Sequence, residues 1–261
     1  MKSGKGISSL VGALFILLSV AGYLLYPSEP VMSRAALSGV FIGVFLLFST
    51  VRYRMPETVS SAVMASSAAS LSSVMQGLEL KGTGIFVPRT AALRTDKVFV
   101  PLHTGPLAIK RALLTEDRVF LTQGFTKDYG AFVNAPGSGV LALCEQEAQT
   151  SFSRIGAPMM CSAIKILEGL DLVSSVDADY DEGAGTLKVT VTHGAHDGMC
   201  KDLRAERPDL CLQACCPVCA TILSAFARSE DRPLQIYESV REAGRVRIRA
   251  RFLEWGTDAD E

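Results

Sequence analysis

Two uncharged apolar runs within the first 51 residues constrain this chain more than anything that follows. ISSLVGALFILLSVAGYLLY (7–26) and AALSGVFIGVFLLFSTV (35–51) contain no charged residue. As helices they span about 30 Å and about 26 Å, close to the thickness of a bilayer's hydrocarbon core. The joining segment PSEPVMSR (27–34) carries Pro27 and Pro30, which interrupt helix. Two spans joined by so short a turn predict an antiparallel transmembrane hairpin. A cleaved signal peptide is the alternative for the first run, since Lys2 and Lys5 precede it. The run is long for a signal core, however, a second run follows at once, and no Ala-x-Ala site precedes Pro27. Lys2 and Lys5 before the first span and Arg52 and Arg54 after the second outweigh Arg34 in the turn. A multi-pass protein of the cell membrane with both termini in the cytoplasm is therefore expected.

The remaining chain then divides into a juxtamembrane helix or linker (55–79) and a cytoplasmic domain (80–261), with the hairpin occupying 1–54. Met64, Leu71, Met75 and Leu78 recur at helical spacing in the first of these. A flexible Ser/Ala linker is the alternative there. From Leu80 the texture changes to strands: GIFVP, KVFVPL and RVFLTQGF are rich in β-branched and aromatic residues. APGSG (135–139) leads into a helical stretch, but without the Lys-Ser/Thr pair of a phosphate loop it reads as an ordinary turn.

The last hundred residues repeat a pattern. Residues 157–193 and 215–253 each open with a Cys (Cys161, Cys219) early in a helix, with an Ile three positions on (Ile164, Ile222). Each continues with an alternating strand, a Gly-containing turn and a second alternating strand. The expected fold is α+β: an antiparallel sheet with helices on one face, built from two related α-β-β halves.

Chemistry concentrates in one place. His193, His196, Cys200, Cys211, Cys215, Cys216 and Cys219 place seven metal-ligand side chains within 27 residues. Three readings compete for them. A zinc site would draw four of the seven, for instance Cys200, Cys211, Cys216 and Cys219 or a set including a His. Second, the Cys216-Pro-Val-Cys219 box before a helix is similar to the thioredoxin family's, which implies a redox pair. That resemblance covers four residues, and no βαβ unit leads into them. Third, the cysteines are packing residues, as the counterpart Cys161 suggests for Cys219. An odd total of seven cysteines fits reduced thiols in the cytoplasm.

RVRIRARF (245–252) puts Arg245, Arg247, Arg249 and Arg251 on one strand face. They are candidates for anion or lipid contact. The alternative is a solvated face balanced by Asp177, Asp179 and Asp181 on a neighbouring strand. A net charge of -1 gives no global field for nucleic acid, and no nucleic-acid partner is expected. His103, Glu145 and Glu147 form no recognisable catalytic set, and no hydrolase, kinase or dinucleotide motif occurs. The reading that follows is a membrane-anchored binding, sensing or scaffold protein, with the bilayer and a protein or small ligand as partners. The alternative is a metal-binding or thiol-redox protein using residues 193–219, with zinc as its cofactor.

Overall fold

In the computed structural model, the described residues are 4–25, 30–50, 57–104, 109–111, 114, 120–121 and 129–256. They divide between two units, Met1–Pro56 and Glu57–Glu261. The first contains α1 (Gly4–Leu25) and α2 (Pro30–Thr50). Pro30 is the first residue of α2, where a missing N–H leaves no helical bond unmade. The two helices run antiparallel, as the pairing of Gly39 with Ser19 and of Gly43 with Gly12 and Ile16 requires. They touch where side chains are smallest. A Cβ at Gly43 would lie 2.6 Å from the Ile16 side chain and 2.8 Å from the Gly12 carbonyl oxygen. Lys2, Arg52 and Arg54, on which the expected orientation leans, lie outside the described residues.

The second unit is α+β. Its strands are β1 (Ile85–Val87), β2 (Lys97–Pro101), β3 (Ile109–Lys110), β4 (Phe120–Leu121), β5 (Gly130–Asn134), β6 (Ser175–Asp181), β7 (Thr186–Thr192), β8 (Leu234–Glu242), β9 (Arg245–Phe252) and β10 (Trp255–Gly256). Eight of them form one sheet in the order β4-β5-β2-β1-β8-β9-β7-β6, and all its pairings are antiparallel. β3 and β10 form a separate parallel pair. Of the expected strand RVFLTQGF, β4 lies among the described residues and the segment after Leu121 lies outside them.

The helices of this unit are α3 (Glu57–Gly77), α4 (Ser138–Ala148), α5 (Ala157–Ala163), α6 (Ile166–Gly169), α7 (Asp197–Glu206), α8 (Leu210–Gln213) and α9 (Pro217–Glu230). Strand alternation directs Val176, Leu187, Val189, Val191, Val246, Ile248 and Ala250 into one core together with α9, which contributes Ile222, Leu223 and Phe226. The opposite face of β1, β2 and β5 is closed by a smaller cluster of Ile85, Val87, Phe99 and Phe132 with Leu93, Ile109 and Leu114. α3 belongs to this unit rather than forming a linker. Ala68 and Met75 are buried in the core, and Met64, Leu71 and Leu78 pack against it.

Among the described residues, Leu210–Glu230 is the one helical stretch long and apolar enough to cross a membrane, and 94% of it is buried inside the domain. Its apolarity is that of a core helix, enclosed on all sides. The described apolar stretches of α1 and α2 are Val11–Leu25 and Arg34–Phe45.

The arginine stripe has different neighbours from those expected. β9 lies between β8 and β7, so β7 separates it from the aspartates of β6. Arg247 and Arg249 stand opposite Thr190 and Lys188. Their acidic partners come from β8: Arg249 Nη1 lies 2.8 Å from Glu238 Oε2, and Arg247 Nη2 lies 3.6 Å from Glu242 Oε2. Arg251 donates to the amide oxygen of Gln235. A register shift between Ile236 and Glu238 leaves Tyr237 as the extra residue of a bulge, which moves Glu238 to the arginine face.

Candidate metal centre

Each of the residues in question is positioned by a break in regular structure. β7 ends at Thr192, and His193 follows directly. A short 3-10 turn, Gly194–His196, then reverses the chain into α7. Gly194 has φ +58°, and a Cβ there would collide with the Ser174 hydroxyl, so the turn needs glycine. Cys200 lies in the first turns of α7. Further on, Cys215 takes a left-handed conformation (φ 61°), which turns the chain so that Cys216 can cap α9. Pro217 occupies the first helical position and Cys219 the third.

The end of β7 and the start of α9 therefore meet inside the core. His193 Nε2 lies 3.7 Å from Cys216 Sγ and 3.6 Å from Cys219 Sγ. The donor atoms of His193, Cys216 and Cys219 all lie within 4.8 Å of one another. Cys200, in the first turns of α7, is buried in the same core but is not one of the three mutually close donors. All four residues are buried, with exposures of 0% for His193, 2% for Cys200 and 3% for Cys216 and Cys219.

These separations suit a single small ion. For zinc, bonds of about 2.3 Å to sulfur and about 2.0 Å to nitrogen in a tetrahedron put the two donors about 3.6 Å apart. The two measured sulfur–nitrogen distances match that edge. The His193 Nδ1 atom, on the far side of the ring, is buried with no partner. That is a cost that binding a metal through Nε2 would leave in place, because Nδ1 then carries the proton.

The electrostatics weigh against a redox pair. The hydrogen bond to Cys216 and then burial push the Cys200 thiol up to about 12. Complete burial drives Cys215 well above its ordinary value. For Cys216 and Cys219 a hydrogen bond from a neighbouring thiol lowers the value, but burial and the other thiols outweigh it and both end raised. A redox CxxC needs an attacking thiol whose value is lowered and whose sulfur is accessible. Neither condition holds here. Burial acts to lower His193, but the neighbouring Cys200 and Cys216 outweigh it and raise it to about 10, so a metal ion would have to displace protons from the imidazole as well as from the thiols.

The other residues of the sequence cluster face elsewhere. His196 hydrogen-bonds the Ser61 hydroxyl of α3 through Nδ1 at 2.8 Å. Cys215 donates its thiol to the Cys211 carbonyl oxygen at 3.1 Å. Burial pushes the Cys211 thiol up, and the charge of Arg204 acts against it. Arg204 donates to the carbonyl and hydroxyl oxygens of Ser239 on β8. Cys219 is buried as a packing residue would be, and it also borders His193. Its counterpart Cys161 is half-buried, on α5. Arg245 to Arg251 lie on β9, away from this cluster in sequence and on the open sheet face.

A buried ionic network escaped the sequence reading altogether. Arg228 on α9 binds Asp96 and Glu145, the latter at 2.6 Å, with Arg228 and Asp96 6% and 1% exposed. Arg89 adds a longer contact to Glu145. No spacing links residues 96, 145 and 228 in the sequence; only the packing of α4 on α9 brings them together.

A family model described as a domain of unknown function (DUF7982) matches residues 8–252, from the first apolar helix through β9. No curated protein and no solved structure matches the chain. Since the family match takes in both units and every residue of the metal-ligand cluster, the chain belongs to the DUF7982 family.

Proposed function

We propose that this is a membrane-anchored protein whose cytoplasmic domain is organised around one zinc ion and serves as a binding, sensing or scaffold module. The observation that carries the metal reading is the match between the His193–Cys216 and His193–Cys219 separations of 3.7 and 3.6 Å and the edge of a zinc tetrahedron. Complete burial gives the ion a structural role, because a catalytic zinc needs a position open to water or substrate. Metal analysis of the full-length protein, purified in detergent without chelators, tests this. One zinc per chain is expected, lost when Cys216 and Cys219 are both changed to Ser. A metal-free wild type, or a double variant that retains its zinc, would contradict it.

The anchor is the α1–α2 hairpin. Leu17, Leu24, Leu25, Leu37, Phe41 and Phe45 are each at least 67% exposed, an apolar surface that water does not tolerate and lipid does. The close contact at Gly39 and Gly43, four residues apart, is the small-residue packing by which helices associate in membranes. Both termini lie in the cytoplasm, and the bilayer is the first partner. Alkaline carbonate washing of membranes should leave the protein in the pellet; release into the supernatant would refute the anchor.

The two halves of the domain are products of one duplication. The order β8-β9-β7-β6 supports this, since it sets the second hairpin beside the first with β9 and β7 in contact. The arginine face of β9, largely paired with β8, supports a solvated surface rather than a lipid site.

A further inference from the structure

We propose that β6 is a docking edge, which takes an extended segment of a partner protein, with basic and apolar residues alternating, as an added strand of the sheet. The order β4-β5-β2-β1-β8-β9-β7-β6 leaves β6 (Ser175–Asp181) with a neighbouring strand on one side only. At seven residues it is long enough to template a partner, whereas β4, at the other end, is two residues long. The edge is distinct from the buried His193 cluster, so the two readings stand or fall separately.

One hydrogen bond fixes which backbone groups face outward. The Val176 N–H donates to Glu168 Oε1 of α6 at 2.9 Å, so it points away from β7. By the two-residue period of a strand, the N–H and C=O groups of Ala178 and Tyr180 point the same way. Glu168 therefore covers one end of the edge. The groups of Ala178 and Tyr180 are left for an incoming strand, which is the main-chain requirement for strand addition.

The side chains select the occupant. Asp177, Asp179 and Asp181 are exposed on the outer face of β6, while Val176, Ala178 and Tyr180 face the core. Opposite the aspartates on β7 stand Thr190, Lys188 and Thr186, one ammonium against three carboxylates. Asp181 is engaged in the hairpin turn, where it accepts from the Ala184 N–H, which leaves Asp177 and Asp179 for a partner. A second copy of β6 laid along this edge would set aspartates beside aspartates, and like charges oppose that pairing. A strand with Arg or Lys at alternate positions gains a cross-strand pair at each aspartate instead, as Arg249 does from Glu238 within the sheet. Its intervening apolar residues would extend the core side, where Ala178 and Tyr180 are half-buried.

The β9 sequence RVRIRARF has the required alternation and serves as the probe, as an end-capped fluorescent peptide titrated onto the full-length protein in nonionic detergent. It should bind, and more weakly as salt rises. The same peptide with glutamate at each arginine should not bind. Hydrogen exchange at the Ala178 and Tyr180 amides should slow when the arginine peptide is added. Asp177→Asn combined with Asp179→Asn keeps every backbone group in place and should weaken binding about fivefold. Ala178→Pro removes an outward N–H without removing a ladder bond, and should weaken binding about tenfold or more. Undiminished binding in both variants, slowed exchange elsewhere instead of at this edge, or equal binding of the glutamate peptide would each overturn the proposal. Ala178 and Tyr180 amides already protected before peptide is added, in a protein that sediments as a dimer, would make the occupant a second copy and overturn it too.

Discussion

Gly194 decides where His193 sits. With φ at +58° and the Ser174 hydroxyl where its Cβ would be, no other residue fits the turn without displacing the strand end. Gly194→Ala should cost about 1–3 kcal/mol, read as a lower thermal midpoint, and should weaken zinc retention as well. An unchanged midpoint would mean that the turn has more freedom than this geometry allows. Arg228 makes a second point at the same scale. Its two carboxylates hold a buried guanidinium, so Asp96→Ala should cost about 3–5 kcal/mol by leaving that charge unpaired. Burial acts to raise Glu145, but its hydrogen bonds to Arg228 and to the Phe152 N–H outweigh it and hold the carboxyl below its ordinary value of 4.5. A lowered folded-state value favours the folded state above the ordinary one and loses that stability as pH falls through it. Glu145→Gln should therefore be less stable than wild type at neutral pH, with the gap closing below about pH 4. Denaturant midpoints at both pH values check it, and a gap independent of pH would contradict the assignment.

At the level of elements, α3 and α9 show how packing changes what a pattern means. The spacing of Met64, Leu71, Met75 and Leu78 in α3 was legible as a helix face, and Met75 is 1% exposed. Met75→Ala should cost about 2–5 kcal/mol in the unfolding of the domain, whereas an unpacked juxtamembrane helix would lose almost nothing. The alternating runs of β6, β7, β8 and β9 were legible for a similar reason: one buried face imposes period two. The partners of those strands were not. Nothing in Asp177, Asp179 and Asp181 reveals that β7 lies between them and the arginines of β9. The short strands β3, β4 and β10, two residues each, carry too few positions to show a period at all. In the first unit, Gly39 and Gly43 sit at the helix contact, so Gly43→Ile should separate α1 from α2 by forcing a side chain against Ile16. Disulfide trapping between Cys residues introduced at 16 and 43 would register the hairpin, and failure to crosslink would count against it.

For the whole molecule, the seven clustered Cys and His residues were visible in the sequence as a group, but not as a site. Three of them, His193, Cys216 and Cys219, converge because β7 ends beside the start of α9, a placement that depends on long-range strand pairing. His196 and Cys215 are turned away by hydrogen bonds to Ser61 and to a backbone carbonyl, neither of which a spacing rule encodes. The account stands on the claim that His193, Cys216 and Cys219 hold one zinc ion. X-ray absorption at the zinc edge of the full-length protein tests this directly. It should give at least two sulfur neighbours at about 2.3 Å and one nitrogen at about 2.0 Å. A shell dominated by oxygen, or with fewer than two sulfurs, would contradict it.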